Sequence, residues 1–144
     1  MLLRGFIALL LTLVAGLLLT SCSSSEPDVG ADGGGDAEGP ARLLGPDEYA
    51  AVLEEGERFV LNVHTPDEGQ LAGTDAAIAF DELERREDEL PTERTTSLAI
   101  YCMSGNMSRT AAAALSAMGY DDIVDLRGGM EAWRASGRDV VPSS

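Results

Sequence analysis

Between Leu98 and Gly119 the chain changes its hydrophobic period once, and abruptly. "TSLAIYC" is a short apolar run and the strongest strand signal in the chain. Ser108–Met118, "SRTAAAALSAM", has helical spacing and is closed by Gly119. The connector between them is Met103-Ser104-Gly105-Asn106-Met107, with Cys102 at its start. The alternation recurs along the chain. "GPDEYAAVLEEG" predicts a helix opened by Pro46 and acidic residues and stopped at Gly56, and "RFVLNV" predicts a buried strand over 58–63. Ala76–Phe80 reads as a second short strand and Asp81–Glu89 as a charged helical turn capped by Asp81. "DIVDLRGG" supplies a last strand and "GMEAWRASG" a terminal helix. Strands alternating with helices predict an α/β domain with a small, mostly parallel β-sheet flanked by α-helices. Ligands of such sheets bind beyond the carboxyl ends of the strands, where Val63 and Tyr101 stand.

That domain cannot include the first third of the 144-residue chain. Residues 1–21 join one positive residue, Arg4, to an apolar run from Gly5 to Leu19, too short for a comfortable membrane span and followed by small polar residues. This is the pattern of an export signal. Residues 22–41 are rich in Gly, Ser, Asp and Glu and have no apolar pattern to offset the entropy of ordering, so they predict a flexible tether. The folded domain is expected over 42–144.

Leu19-Thr20-Ser21-Cys22 resembles the lipobox of bacterial lipoproteins. The resemblance implies cleavage before Cys22, lipidation of its sulfur, and a protein exported and anchored to the outer face of the cell membrane by more than one acyl chain. Of the two cysteines, Cys102 is then left as a lone thiol in a compartment where disulfides normally form. It is either buried as a small hydrophobe or reactive. The net charge of −15 becomes −16 once Arg4 leaves with the signal, and no lysine is present. Such a surface excludes electrostatic binding of nucleic acid or an anionic bilayer, and any anion site must be built locally.

The connector after Cys102 can build one. Ser104, Gly105 and Asn106 let successive amides face inward, and the following helix start adds unsatisfied donors and partial positive charge. Met103, Ser104, Gly105, Asn106, Met107 and Ser108 are the expected cradle, and a cysteine within it is favoured as the attacking thiolate. "YCMSGNMS" followed by "AAAALSAMGYDDIVDLRGGMEAW" resembles the rhodanese-like (sulfurtransferase) domain family, whose pattern runs Cys-x-x-Gly-x-x-Ser, helix, Leu-x-x-x-Gly-Tyr, strand, Leu-x-Gly-Gly, Trp. Upstream, "FVLNVHTPDE" resembles that family's first motif, and the likeness covers about Arg42 to Gly137. The resemblance implies that Cys102 takes a sulfane sulfur from thiosulfate or a persulfide. It would carry that sulfur as a persulfide and pass it to a thiol or other thiophilic acceptor, with no metal and no organic cofactor.

Departures from the family pattern bear on substrate choice. The loop positions that commonly hold arginine are Met103 and Met107, so a charge-assisted contact to a dianion is missing and a soft, apolar lining takes its place. Poor use of thiosulfate is expected. Asn62 and His64 stand where the first motif has an acid and an arginine, and the pair is lost together, leaving no orphan charge. Arg109 and His64 are the candidate substrate contacts. Gly128-Gly129 is read as a turn permitting close packing and Trp133 as core. Two other functions fit some of these residues. A non-catalytic binding module at the cell surface would explain the missing arginines. A thiol phosphatase or arsenate reductase would need five residues between cysteine and arginine, whereas six separate Cys102 from Arg109.

Overall fold

The computed structural model describes residues 39–143. The expected signal, Cys22 and most of the tether lie outside the described residues. In chain order the elements are β1 (Arg42–Leu44), α1 (Pro46–Glu55), β2 (Phe59–Asn62), β3 (Ala76–Ala77), β4 (Leu98–Tyr101), α2 (Asn106–Ala117), β5 (Ile123–Leu126) and α3 (Gly129–Ala135). A 3-10 turn spans Glu87–Glu89. The strands form one parallel sheet in the order β1-β5-β4-β2-β3, as the alternation predicts.

β4 sits at the centre of the sheet, and all four of its residues are buried. Side chains alternate between two cores. On one face Leu61, Leu98, Ile100 and Ile123 pack against Ala111, Ala112 and Leu115 of α2. On the other, Val60, Ala99, Tyr101, Val124 and Leu126 pack against Tyr49 of α1 and Met130 and Trp133 of α3. Alanines on α2 bring that helix close to the sheet without the side-chain entropy a longer residue would lose. Each fully buried leucine or isoleucine contributes roughly 2 kcal/mol through removal of apolar surface from water.

Local expectations and structure differ in four places. β1 carries no signal in the sequence, because three residues show no periodicity; Arg42–Leu44 is a strand through its pairing with Val124, Asp125 and Leu126. β3 is two residues long, since Ile78 turns inward and is buried in the α2-side core. Over 81–89 the expected capped helical turn is a series of turns ending in the 3-10 segment, because Leu83 and Leu90 are both drawn into the core. α2 starts at Asn106 rather than Ser108. Gly105 has φ +95°, a left-handed conformation that turns the chain into the helix two residues early.

Candidate active site

The early start of α2 changes the cradle. Only Met103, Ser104 and Gly105 remain as connector, while Asn106, Met107, Ser108 and Arg109 form the first helical turn. The chain leaves β4 at Tyr101, and Cys102 lies directly beyond the strand end, 1 % exposed. The Gly105 amide donates to Cys102 Sγ at 3.1 Å. Ser108 is fully buried, with its Oγ 3.6 Å from Cys102 Sγ and positioned to accept from the thiol. Met103 and Met107 are half-buried, and Ser104 and Asn106 are exposed.

α3 fixes this loop from below. The amides of Met130 and Glu131 donate to the carbonyls of Cys102 and Met103 at 2.9 and 3.0 Å. The approach depends on Gly129. Its φ is +58°, and a Cβ there would lie 2.3 Å from the Cys102 carbonyl oxygen. The close-packing reading of Gly128-Gly129 therefore holds, and Trp133, 8 % exposed, fills the core as expected.

Beneath the loop stands a residue that sequence reasoning passed over. Asp125, on β5, is 2 % exposed and receives a hydrogen bond from Ser108 Oγ to its Oδ2 at 2.9 Å. Its Oδ1 has no hydrogen-bond partner of regular geometry. Burial pushes the carboxyl up to about 7, against the opposing effects of the Ser108 hydroxyl, the Arg109 charge and the Leu126 amide. The signal was present in "DIVDL": a carboxylate inside an otherwise apolar strand has to be explained by what it faces.

The other candidates are placed differently. Arg109 is exposed, acting on Asp125 only through its charge. His64 is held away from the cysteine loop's hydrogen bonds, with its Nε2 2.6 Å from Glu68 Oε2 and its Nδ1 buried without a partner. Asn62, where the family's first motif has an acid, is buried and hydrogen-bonded at both ends of its amide. Its Oδ1 accepts from the His64 amide at 3.0 Å and its Nδ2 donates to the Gly69 carbonyl at 3.2 Å, pinning the loop after β2. The cation that does reach the cysteine loop is Arg134 of α3, with Nη1 3.5 Å from Met103 Sδ and Nη2 3.4 Å from the Glu68 carbonyl. It borders an open groove of about 480 Å³ that also includes Asp67, Glu68 and residues 140–143. Nothing in the local sequence around Arg134 signals this placement.

Comparisons with known proteins agree with this fold. The model of the rhodanese-like domain matches residues 46–136. A sulfurtransferase of Allochromatium vinosum is 41 % identical over 56 residues, which is 39 % of this chain and 50 % of that protein, so the likeness spans half of the relative's length. Thiosulfate sulfurtransferase GlpE of Pseudomonas fluorescens is 29 % identical over 63 % of this chain and 84 % of its own. Among solved structures, a rhodanese-related protein from Thermoplasma volcanium superposes with a TM-score of 0.59 at 31 % identity, covering 69 % of this chain and 97 % of that one.

Proposed function

The chain belongs to the rhodanese-like domain family, and on that premise we propose that it is a sulfurtransferase or sulfane-sulfur carrier with Cys102 as its nucleophile. The observation that carries this reading is the pair of polar groups on one sulfur, the Gly105 amide donating to it at 3.1 Å and the Ser108 hydroxyl oxygen accepting from it at 3.6 Å. The Gly105 amide, at the start of α2, can stabilise negative charge on Cys102. In the first step the Cys102 thiolate attacks the outer sulfur of the donor. The donor's S–S bond breaks, and its electron pair leaves on sulfite or on a thiolate. In the second step an acceptor thiolate attacks the outer sulfur of the Cys102 persulfide, returning the Cys102 thiolate. Two half-reactions on one nucleophile predict ping-pong kinetics.

Donor choice follows from the lining. Met103 and Met107 offer polarizable, apolar contact, and the nearby Arg134 is the one cation hydrogen-bonded to a side chain of the cysteine loop among the described residues. A persulfide on a small, weakly charged molecule suits this site better than dianionic thiosulfate. The proposed setting is the outer face of the cell membrane, with residues 1–21 removed, lipid on Cys22 and residues 22–41 as tether. Its support is the Leu19-Thr20-Ser21-Cys22 pattern. Incorporation of labelled fatty acid into the protein, lost in Cys22→Ala, is the expected result.

The deciding experiment is the mass of the Cys102 peptide after the purified full-length protein meets thiosulfate or a small organic persulfide. Wild type gains one sulfur, more readily from the persulfide, and Cys102→Ser gains none. No gain from either donor would sink sulfur transfer in favour of a non-catalytic binding module.

A further inference from the structure

We propose that Asp125, acting through Ser108, is the proton acceptor for the Cys102 thiol, exchanging a negative charge on a buried carboxylate for one on the nucleophilic sulfur. The inference rests on Cys102 being the nucleophile and adds how it is activated. Cys102 Sγ, Ser108 Oγ and Asp125 Oδ2 form a continuous chain with steps of 3.6 and 2.9 Å, and all three residues are at most 2 % exposed. The direction of the hydrogen bonds suits transfer. The thiol donates to the Ser108 oxygen, and the Ser108 hydroxyl donates to the carboxylate.

Charge balance supplies the reason for such a chain. A thiolate formed by losing its proton to solvent would place a second negative charge beside an ionised Asp125 in a buried site, with methionines where arginines could have compensated. Transfer through Ser108 avoids this. The Sγ proton passes to Ser108 Oγ as the Ser108 proton passes to Asp125 Oδ2, so the net charge stays at one. The sulfur pair is then free to attack the donor's sulfane sulfur, and the donor's thiolate or sulfite carries away the electrons of the broken S–S bond. Asp125 is a positioning residue in this scheme, since it never touches substrate.

The groups around the carboxylate are few. From α1 the Tyr49 side chain senses its charge, but its hydroxyl donates to the Ile100 carbonyl at 3.1 Å. From α2 come Ser108 and the exposed Arg109, from the end of β4 comes Cys102, and from β5 itself the Leu126 amide. β1 places Leu43 beside it in register, with no titratable group. A buried carboxylate with one unpartnered oxygen, bridged to the nucleophile, is thus poised to gain and release a proton near neutral pH.

The test is the pH dependence of Cys102 alkylation by iodoacetamide in the full-length protein, with Cys102 and Cys22 resolved by peptide mass. Thermal unfolding at pH 7 reports that each variant is folded. Wild type is expected to show a rise in rate through neutrality to a plateau, and a second rise once both groups have lost their protons. Asp125→Asn and Ser108→Ala are expected to lose the neutral rise and to react about tenfold more slowly at pH 7, whereas Ser108→Thr keeps it. A rate in Asp125→Asn equal to or above wild type is what a merely nearby negative charge would give, and it overturns the proposal. An unchanged profile in Ser108→Ala does the same, and decides the matter if Asp125→Asn does not fold. Alkylation is read independently of sulfur loading. A wild type that keeps this profile but never gains sulfur defeats sulfur transfer and not the relay; one that loads sulfur with a flat profile defeats only the relay.

Discussion

The two faces of the sheet use buried polar groups in opposite ways. On the α1/α3 face the polar tips of the three core aromatics are matched. Tyr49 donates to the Ile100 carbonyl, Tyr101 accepts from the Leu71 amide at 3.0 Å and bonds Thr74 Oγ1 at 2.6 Å, and Trp133 donates to the Asp139 carbonyl at 3.0 Å. On the α2 face, beneath the cysteine loop, Asp125 keeps a buried oxygen without a partner and is bonded on the other to Ser108. The first arrangement is what stability alone favours. The second costs stability, and it stands next to Cys102, bridged by Ser108.

Asp125→Asn gives the largest expected effect on that contrast. Because burial raises the folded-state carboxyl to about 7, the folded protein holds this proton between about pH 4 and pH 7 while the unfolded chain has released it. The wild type should therefore lose stability as pH rises through that window, by at most about 4 kcal/mol from this group. Denaturant unfolding across pH 4–8 should show the variant lacking this slope and gaining on wild type at pH 8; parallel curves would mean that Asp125 is not held protonated. Next is Gly129→Ala, where a Cβ meets the Cys102 carbonyl in a left-handed conformation. A loss of about 3 kcal/mol is expected in unfolding free energy, together with impaired sulfur loading, because α3 and the cysteine loop are forced apart.

Tyr101→Phe probes the matched face. It leaves the buried Leu71 amide unpaired and should cost about 2 kcal/mol, with loading per folded molecule unchanged. A fall in loading would show that the two faces are not separable. Smallest is Arg134→Gln, which removes the cation beside Met103 from an exposed position. Stability should stay within about 0.5 kcal/mol of wild type. Loading from thiosulfate should fall a few-fold while loading from an uncharged persulfide holds, and equal losses from both would assign Arg134 to packing rather than to charge recognition.

Much of the site was legible because its signals are local. The period change at Cys102, the small residues after it, the Gly-Gly turn and the buried tryptophan are each set by residues within a few positions of one another. The candidate contacts were less legible. Closeness to Cys102 in sequence favours Arg109, yet it is exposed, whereas Arg134, 31 residues from Met103, reaches that side chain from α3. His64 lies beyond a strand end as expected, but its ring is taken up by Glu68.

By itself the sequence determined the alternation of strands with helices, the mostly parallel α/β class and the identity of the lone domain thiol, because hydrophobic period, helix stops and turn residues act over a few residues of chain. Only the tertiary structure decided that Arg42–Leu44 is a strand, that α2 begins at Asn106, and that the inward-facing residues of β5 place Asp125 under Ser108. Those outcomes depend on pairing between segments far apart in the chain. A strand buried on both faces carries no alternation from which to read the side on which a carboxylate will fall.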